Sequence, residues 1–145
     1  MSTFTFTHTR TLPFSPSAVF AAIQDPARLA QWWGPDGFSN RFTTFEFQAG
    51  GRWVFDMIGP DGAVYPNQST FERIEPDHQV VIRHVVQPLF TLTITLAAVP
   101  EGTALTWEQA FDDAGVAQAI RHIVEPANEQ NLNRLASACG PASAP

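Results

Sequence analysis

PANEQNLNRLASAC, residues 126–139, reads as a helix late enough in the chain to lie across everything before it. Pro126 suits a first helical position, where a missing N–H costs nothing, and Gly140-Pro141 ends the segment. Asn128, Asn131, Leu132, Leu135 and Cys139 fall at i, i+3, i+4, i+7 and i+11, so they share one face. Arg134 and Ser137 point away from it. The shared face is apolar toward its C-terminal end and carries two amides toward its N-terminal end. A core helix would be apolar throughout, so this one is expected to close a cavity that is not fully dry.

Upstream, residues 3–12 alternate strictly, with Phe4, Phe6, His8, Arg10 and Leu12 on one side and threonines on the other, the pattern of a first strand. Ser15 offers an N-cap and Pro16 a first helical position for a short helix carrying Val19, Phe20 and Ile23. A second short helix, residues 26–33, carries Leu29, Trp32 and Trp33 and stops at Gly34-Pro35. From Phe42 the period is two for about seventy residues. Gly50-Gly51, Gly59-Pro60-Asp61-Gly62, Glu75-Pro76-Asp77 and Pro100-Glu101-Gly102 punctuate it as turns. A strand over residues 64–74 is interrupted near Pro66, which predicts a bulge or an exposed edge there. Asp112-Asp113 can cap a further helix over residues 116–124, expected to break at Pro126. The order is one strand, two short helices, six strands in an antiparallel meander, then helix. Without βαβ alternation this is an α+β fold with one antiparallel sheet, and the last helix is the large amphipathic element available to cover it.

At 145 residues the chain fits one domain, residues 1–140, with a short flexible tail at 141–145. Its net charge is −6, and its eight basic residues are all arginine, which argues against a nucleic-acid surface. No window approaches the ~18 apolar residues of a membrane span, and MSTFTFTHTR lacks the pattern of a signal peptide. A lone cysteine, Cys139, suits a reducing compartment and reads as a buried, inert thiol, so the expected location is cytoplasmic. Twelve Phe and four Trp supply enough aromatic surface to enclose something bulky.

Spacings that would carry chemistry are missing. His8, His78, His84 and His122 form no H-x-x-x-H, and no C-x-x-C occurs, so neither a metal nor a cofactor is expected. There is no G-x-S-x-G. Asp56 and Glu108 lie mid-strand, with a parity opposite the bulky aromatic residues, and read as solvent-side. His84 shares parity with Val80 and Ile82, and reads as a hydrogen-bonded histidine facing the core or cavity rather than as a catalytic base.

DPARLAQWWGPDGF (residues 25–38), AGGRWVFDMIGPDGAVYPN (49–67), FERIEPDHQVV (71–81) and ANEQNLNRL (127–135) resemble, in order, the small bacterial proteins named after the activator of the heat-shock-protein-90 ATPase. These belong to the START-like, or helix-grip (SRPBCC), superfamily. The resemblance implies a curved sheet of about seven strands gripping a long C-terminal helix, with an apolar cavity between them. Strand parity then assigns the cavity wall to Trp53, Phe55, Met57, Phe90, Leu92, Trp107, Gln109 and Phe111, with His84 facing it. The helix adds Asn128, Asn131, Leu132 and Leu135, and Trp32, Trp33 and Phe38 would form the mouth. The expected partner is a hydrophobic, aromatic or lipid-like small molecule. Two other readings stay open: a co-chaperone or stress-response interaction protein, following the family name, and a cyclase or hydrolase using the same cavity. Partial exposure of the hairpin around Trp32 and Trp33 would leave room for a homodimer.

Overall fold

Period-two alternation produces seven strands in a computed structural model that describes residues 2–140. The tail expected at 141–145 lies outside the described residues. β1 (Phe4–Leu12) is followed by α1 (Pro16–Gln24) and α2 (Pro26–Trp32), and then by the meander. This comprises β2 (Ser39–Phe45), β3 (Arg52–Ile58), β4 (Val64–Glu75), β5 (Gln79–His84), β6 (Phe90–Val99) and β7 (Gly102–Phe111). One helix, α3 (Ala114–Ala138), completes the chain. All pairings are antiparallel and the sheet order is β1-β7-β6-β5-β4-β3-β2, so the first strand docks on the last.

Local chemistry explains the helix ends. Ser15 Oγ accepts from Ala18 N–H at 3.2 Å, with Pro16 at the first turn. Asp25 ends α1 and starts α2, its carboxylate accepting from Ala27 N–H at 3.1 Å. Asp113 caps α3 through Gly115 and Val116 N–H at 2.8 and 3.2 Å. Gly34 turns the chain after α2 at φ 96°, where a Cβ would stand 2.8 Å from the Met57 methyl.

Two expectations about α3 fail. Pro126 does not separate two helices but sits inside one of 25 residues. The helix loses a single hydrogen bond there, to the His122 carbonyl, and its packing over the sheet outweighs that local loss. Arg134, expected to point away, instead reaches back over the end of α2. Its guanidinium donates to the carbonyls of Trp33, Gly34 and Pro35 at 3.3, 2.9 and 2.7 Å, and to those of Gln31 and Phe38 at 2.6 and 2.8 Å. A helix end and the turn after it leave such carbonyls unpaired, and a five-donor fork answers several at once.

At Pro66 the expectation of an exposed edge is met. Pro66 pairs with Asp56 on β3, whereas β4–β5 pairing begins only at Ser69. The bulge in β4 lies further on, between Phe71 and Arg73.

The apolar face of the sheet is covered in two patches. The larger joins Phe71, Trp53, Ile82, Ile94 and Trp107 to α1, α2, Leu132 and Leu135. A smaller one joins Phe6, Phe111 and Ala117, with Ile120 and Val124 packed against it. His8 and Arg10 share the apolar side of β1 because α3 crosses there: both reach Glu129, at 2.6 and 2.7 Å, and Arg10 also donates to Asn133 at 2.8 Å. Trp32 and Trp33 are buried, at 1% and 9% exposure, so this hairpin offers no exposed tryptophan surface on which a homodimer could form.

Candidate functional site

Between the two apolar patches the sheet and α3 leave a cavity of about 300 Å³. Its floor follows from strand register. Phe55 faces in from β3, opposite Asn67 of β4; Ser69 pairs with His84, and His84 with Phe90. Ile82, Leu92 and Gln109 form a second row across β5, β6 and β7. Its roof is α3, through Ile123, Val124, Ala127, Asn128 and Asn131, and one wall is Trp33, Gly34 and Pro35 with Met57. Ile123 belongs to this lining yet is 59% exposed, so the mouth opens beside the N-terminal half of α3.

Ten of the residues predicted to face a cavity line this one: Trp33, Phe55, Met57, His84, Phe90, Leu92, Trp107, Gln109, Asn128 and Asn131. Six lie elsewhere. Trp32 is no mouth residue, because its indole N–H donates to the Ala22 carbonyl at 2.9 Å inside the core. Phe38 packs against Tyr65, ring centroids 6.0 Å apart. Trp53 lies stacked between Phe55 and Phe71, at 4.2 and 5.8 Å. Phe111 belongs to the smaller patch with Phe6. Leu132 and Leu135 are fully buried in the larger patch, where α3 touches the rest of the core directly.

Sequence reasoning missed Asn67 and Ser69, whose polar side chains hid the inward parity they share with Phe71 on β4. It missed Ile123, Val124 and Ala127 because residues 116–124 and 126–139 are read as separate helices broken at Pro126, which hides the face that they share. A continuous helical count through the proline puts Val124, Ala127, Asn128 and Asn131 on one side. Pro88 arrives from the loop after β5 and carried no signal.

The polar groups of the lining are largely committed to one another. Asn131 accepts from Gly34 N–H at 3.3 Å and donates to the Trp32 carbonyl at 3.0 Å, so it fastens α3 to the turn after α2. Asn128 Nδ2 donates to Gln109 Oε1 at 3.0 Å, tying helix to sheet. His84 Nδ1 stands 2.8 Å from the Pro88 carbonyl and Nε2 stands 2.8 Å from Asn67 Oδ1, while the ring stacks on Phe90 at 4.5 Å. Asn67 Nδ2 in turn donates to the Tyr65 carbonyl at 2.9 Å. Burial holds the His84 pKa below the usual imidazole value, with the Pro88 carbonyl opposing it. The Trp107 indole N–H is fully buried without an oxygen or nitrogen acceptor, so the wall receives only its ring face.

Among the described residues no Asp, Glu, Lys or Arg lines the cavity. Asp56 pairs with Arg41 at 3.3 Å and Glu108 is exposed, both clear of this lining. Cys139 is buried, its thiol pushed up to about 11 by desolvation against the opposing charge of Arg28, which keeps it a thiol at neutral pH. Among the described residues no three His, Cys, Asp or Glu side chains converge as metal ligands, and no helix is long and apolar enough to cross a membrane.

The profile of the family described as activator of Hsp90 ATPase homolog 1-like protein matches residues 13–140. No curated protein is similar enough in sequence to count as a relative. Among solved structures, a protein of Chromobacterium violaceum superimposes with a TM-score of 0.84 at 22% identity, covering 95% of this chain and 99% of the other. One from Arthrobacter aurescens gives 0.86 at 22% identity over 95% of this chain and 87% of its own. The AHSA1 protein of Silicibacter pomeroyi gives 0.75 at 21% identity, covering 92% and 96%. At such identities these likenesses establish a shared fold.

Proposed function

We propose that this chain, which belongs to the activator of Hsp90 ATPase homolog 1-like family, binds an uncharged, largely aromatic or lipid-like small molecule between its sheet and α3. One observation carries the reading: a void of about 300 Å³ with aromatic walls, sparse polar groups and, among the described residues, no Asp, Glu, Lys or Arg. Small-molecule sites have this character and begin near this volume. An engineered apolar cavity of about 150 Å³ holds benzene, so the space here suits roughly two fused rings. A permanently charged ligand would be buried without a counter-ion, which costs several kcal/mol, whereas a neutral one gains about 25 cal/mol per Å² of apolar surface removed from water.

Binding is favoured over catalysis by His84. Its two ring nitrogens face the Pro88 carbonyl and Asn67 Oδ1, which leaves neither directed at a guest. Native mass spectrometry of the isolated protein, followed by titration of tryptophan fluorescence, tests the reading. A retained small molecule, or quenching by neutral bicyclic aromatics, is the expected result, since Trp33 and Trp107 form part of the wall. A clean apo mass with no quenching across such compounds would turn attention to the interaction-protein reading.

A further inference from the structure

The polar groups of the cavity divide into those already saturated and those left open, and that division specifies the ligand further. This step rests on the cavity reading above. Asn131, Asn67 and His84 turn their polar atoms to protein partners rather than to the open space. Three groups remain. Gln109 has given its carbonyl to Asn128 and Asn128 its amino group to Gln109, which leaves the Gln109 amino group and the Asn128 carbonyl, on two side chains in contact, without a partner among the described residues. Ser69 lines the cavity, and among the described residues its hydroxyl has no hydrogen-bond partner.

These groups sit at opposite ends. Gln109 is on β7 and Ser69 on β4, three strand spacings apart, roughly 14 Å along the backbone before the side chains converge. Between them lie Leu92, Ile82 and Phe90, which offer only apolar surface. A neighbouring donor and acceptor match a group that both accepts and donates from adjacent atoms, as a carboxamide or lactam does. A lone hydroxyl matches a second hydroxyl or carbonyl.

We infer that the ligand is a neutral, flat, bicyclic-sized molecule carrying an amide-like group at one end, held by Gln109 and Asn128, and a hydroxyl or carbonyl at the other, held by Ser69. The apolar body supplies most of the affinity, and the two ends fix its direction.

Four probes of one size separate the contributions: naphthalene, naphthamide, a hydroxynaphthamide substituted at the far ring, and naphthoate, each followed by tryptophan quenching and isothermal titration. At about 1 kcal/mol for each neutral hydrogen bond, naphthamide should bind at least about five-fold tighter than naphthalene. The hydroxyl should add about another five-fold. Naphthoate should bind more weakly than naphthamide. Gln109→Met should bring naphthamide down to the level of naphthalene, and Ser69→Ala should erase only the gain from the hydroxyl, with unchanged naphthalene binding reporting an intact cavity in both variants. Equal binding of naphthalene, naphthamide and naphthoate would overturn the two-ended assignment and leave the apolar cavity standing. Failure of every probe would overturn the cavity reading, and this inference with it.

Discussion

Arg134 shows how much one side chain can organise. Its guanidinium is partly buried, and that burial presses its pKa below the usual guanidinium range with Asp36 resisting, yet it stays charged and serves five carbonyls around the end of α2. Truncation to Met should cost about 3 kcal/mol in urea unfolding, because five acceptors lose a charged donor. Arg134→Lys should recover less than half of that, since an ammonium has three donors and no planar fork. His84 makes a pH prediction. Its two ring nitrogens face oxygens, and the neutral ring has one proton to offer. Burial nevertheless favours the neutral form, so the folded pKa lies below the unfolded value of about 6.5. The unfolded chain therefore takes up the proton first. Stability is fully present above about pH 6.5 and is lost as pH falls from there through the folded pKa. Melting temperatures from about pH 8 to 5 should show this fall, and His84→Gln should flatten that part of it.

Two halves of α3 do different work. After Pro126 the helix is locked: Asn131 and Arg134 hold the turn after α2, Glu129 takes His8 and Arg10, and Leu132 and Leu135 are fully buried. Before Pro126 only Ala117 is buried, and Gln118, Ala119, Arg121, His122 and Ile123 face solvent. Amide exchange should therefore be at least about ten-fold faster over residues 118–125 than over 129–137, and a cavity ligand should slow the first half more. Uniform protection along the helix would contradict this division. The strands of the sheet were legible because alternation is a local signal, as at Phe90, Leu92, Ile94 and Leu96 between threonines. The unity of α3 was not, because a proline is a strong local stop and what overrides it is distant: β1, α2 and β7 packed beneath it.

The same divide governs what could be known of the site. Inward parity located Phe55, Phe90, Leu92, Trp107 and Gln109, since a sheet passes its register from strand to strand. It could not separate lining from core. Trp53 and Phe55 have equal parity, yet Trp53 is sealed under stacked rings while Phe55 borders open space. That difference is set by where α3 stands, which no single strand encodes. Packing on the sealed side is continuous: Phe71 touches Phe45, Phe47 and Trp53, with centroids 5.7, 5.1 and 5.8 Å away. Phe71→Ala should cost about 3–5 kcal/mol by chemical denaturation, as a buried aromatic lost from a close-packed core, whereas Phe90→Ala on the cavity wall should cost less, because part of its surface already borders a void.

The docking of β1 on β7 also has a consequence in time. Phe4 pairs with Phe111 and Leu12 with Thr103, so β1 leaves the ribosome well before the strand it pairs with. Synthesis runs at about 5–20 residues per second, which leaves β1 waiting for several seconds with Phe4 and Phe6 uncovered. The meander from β2 to β7 can pair strand by strand as it emerges, but closing β1 onto β7 is a long-range step that delays completion. Its alternating threonines, set between the aromatic residues, keep one side of the waiting strand polar through that interval.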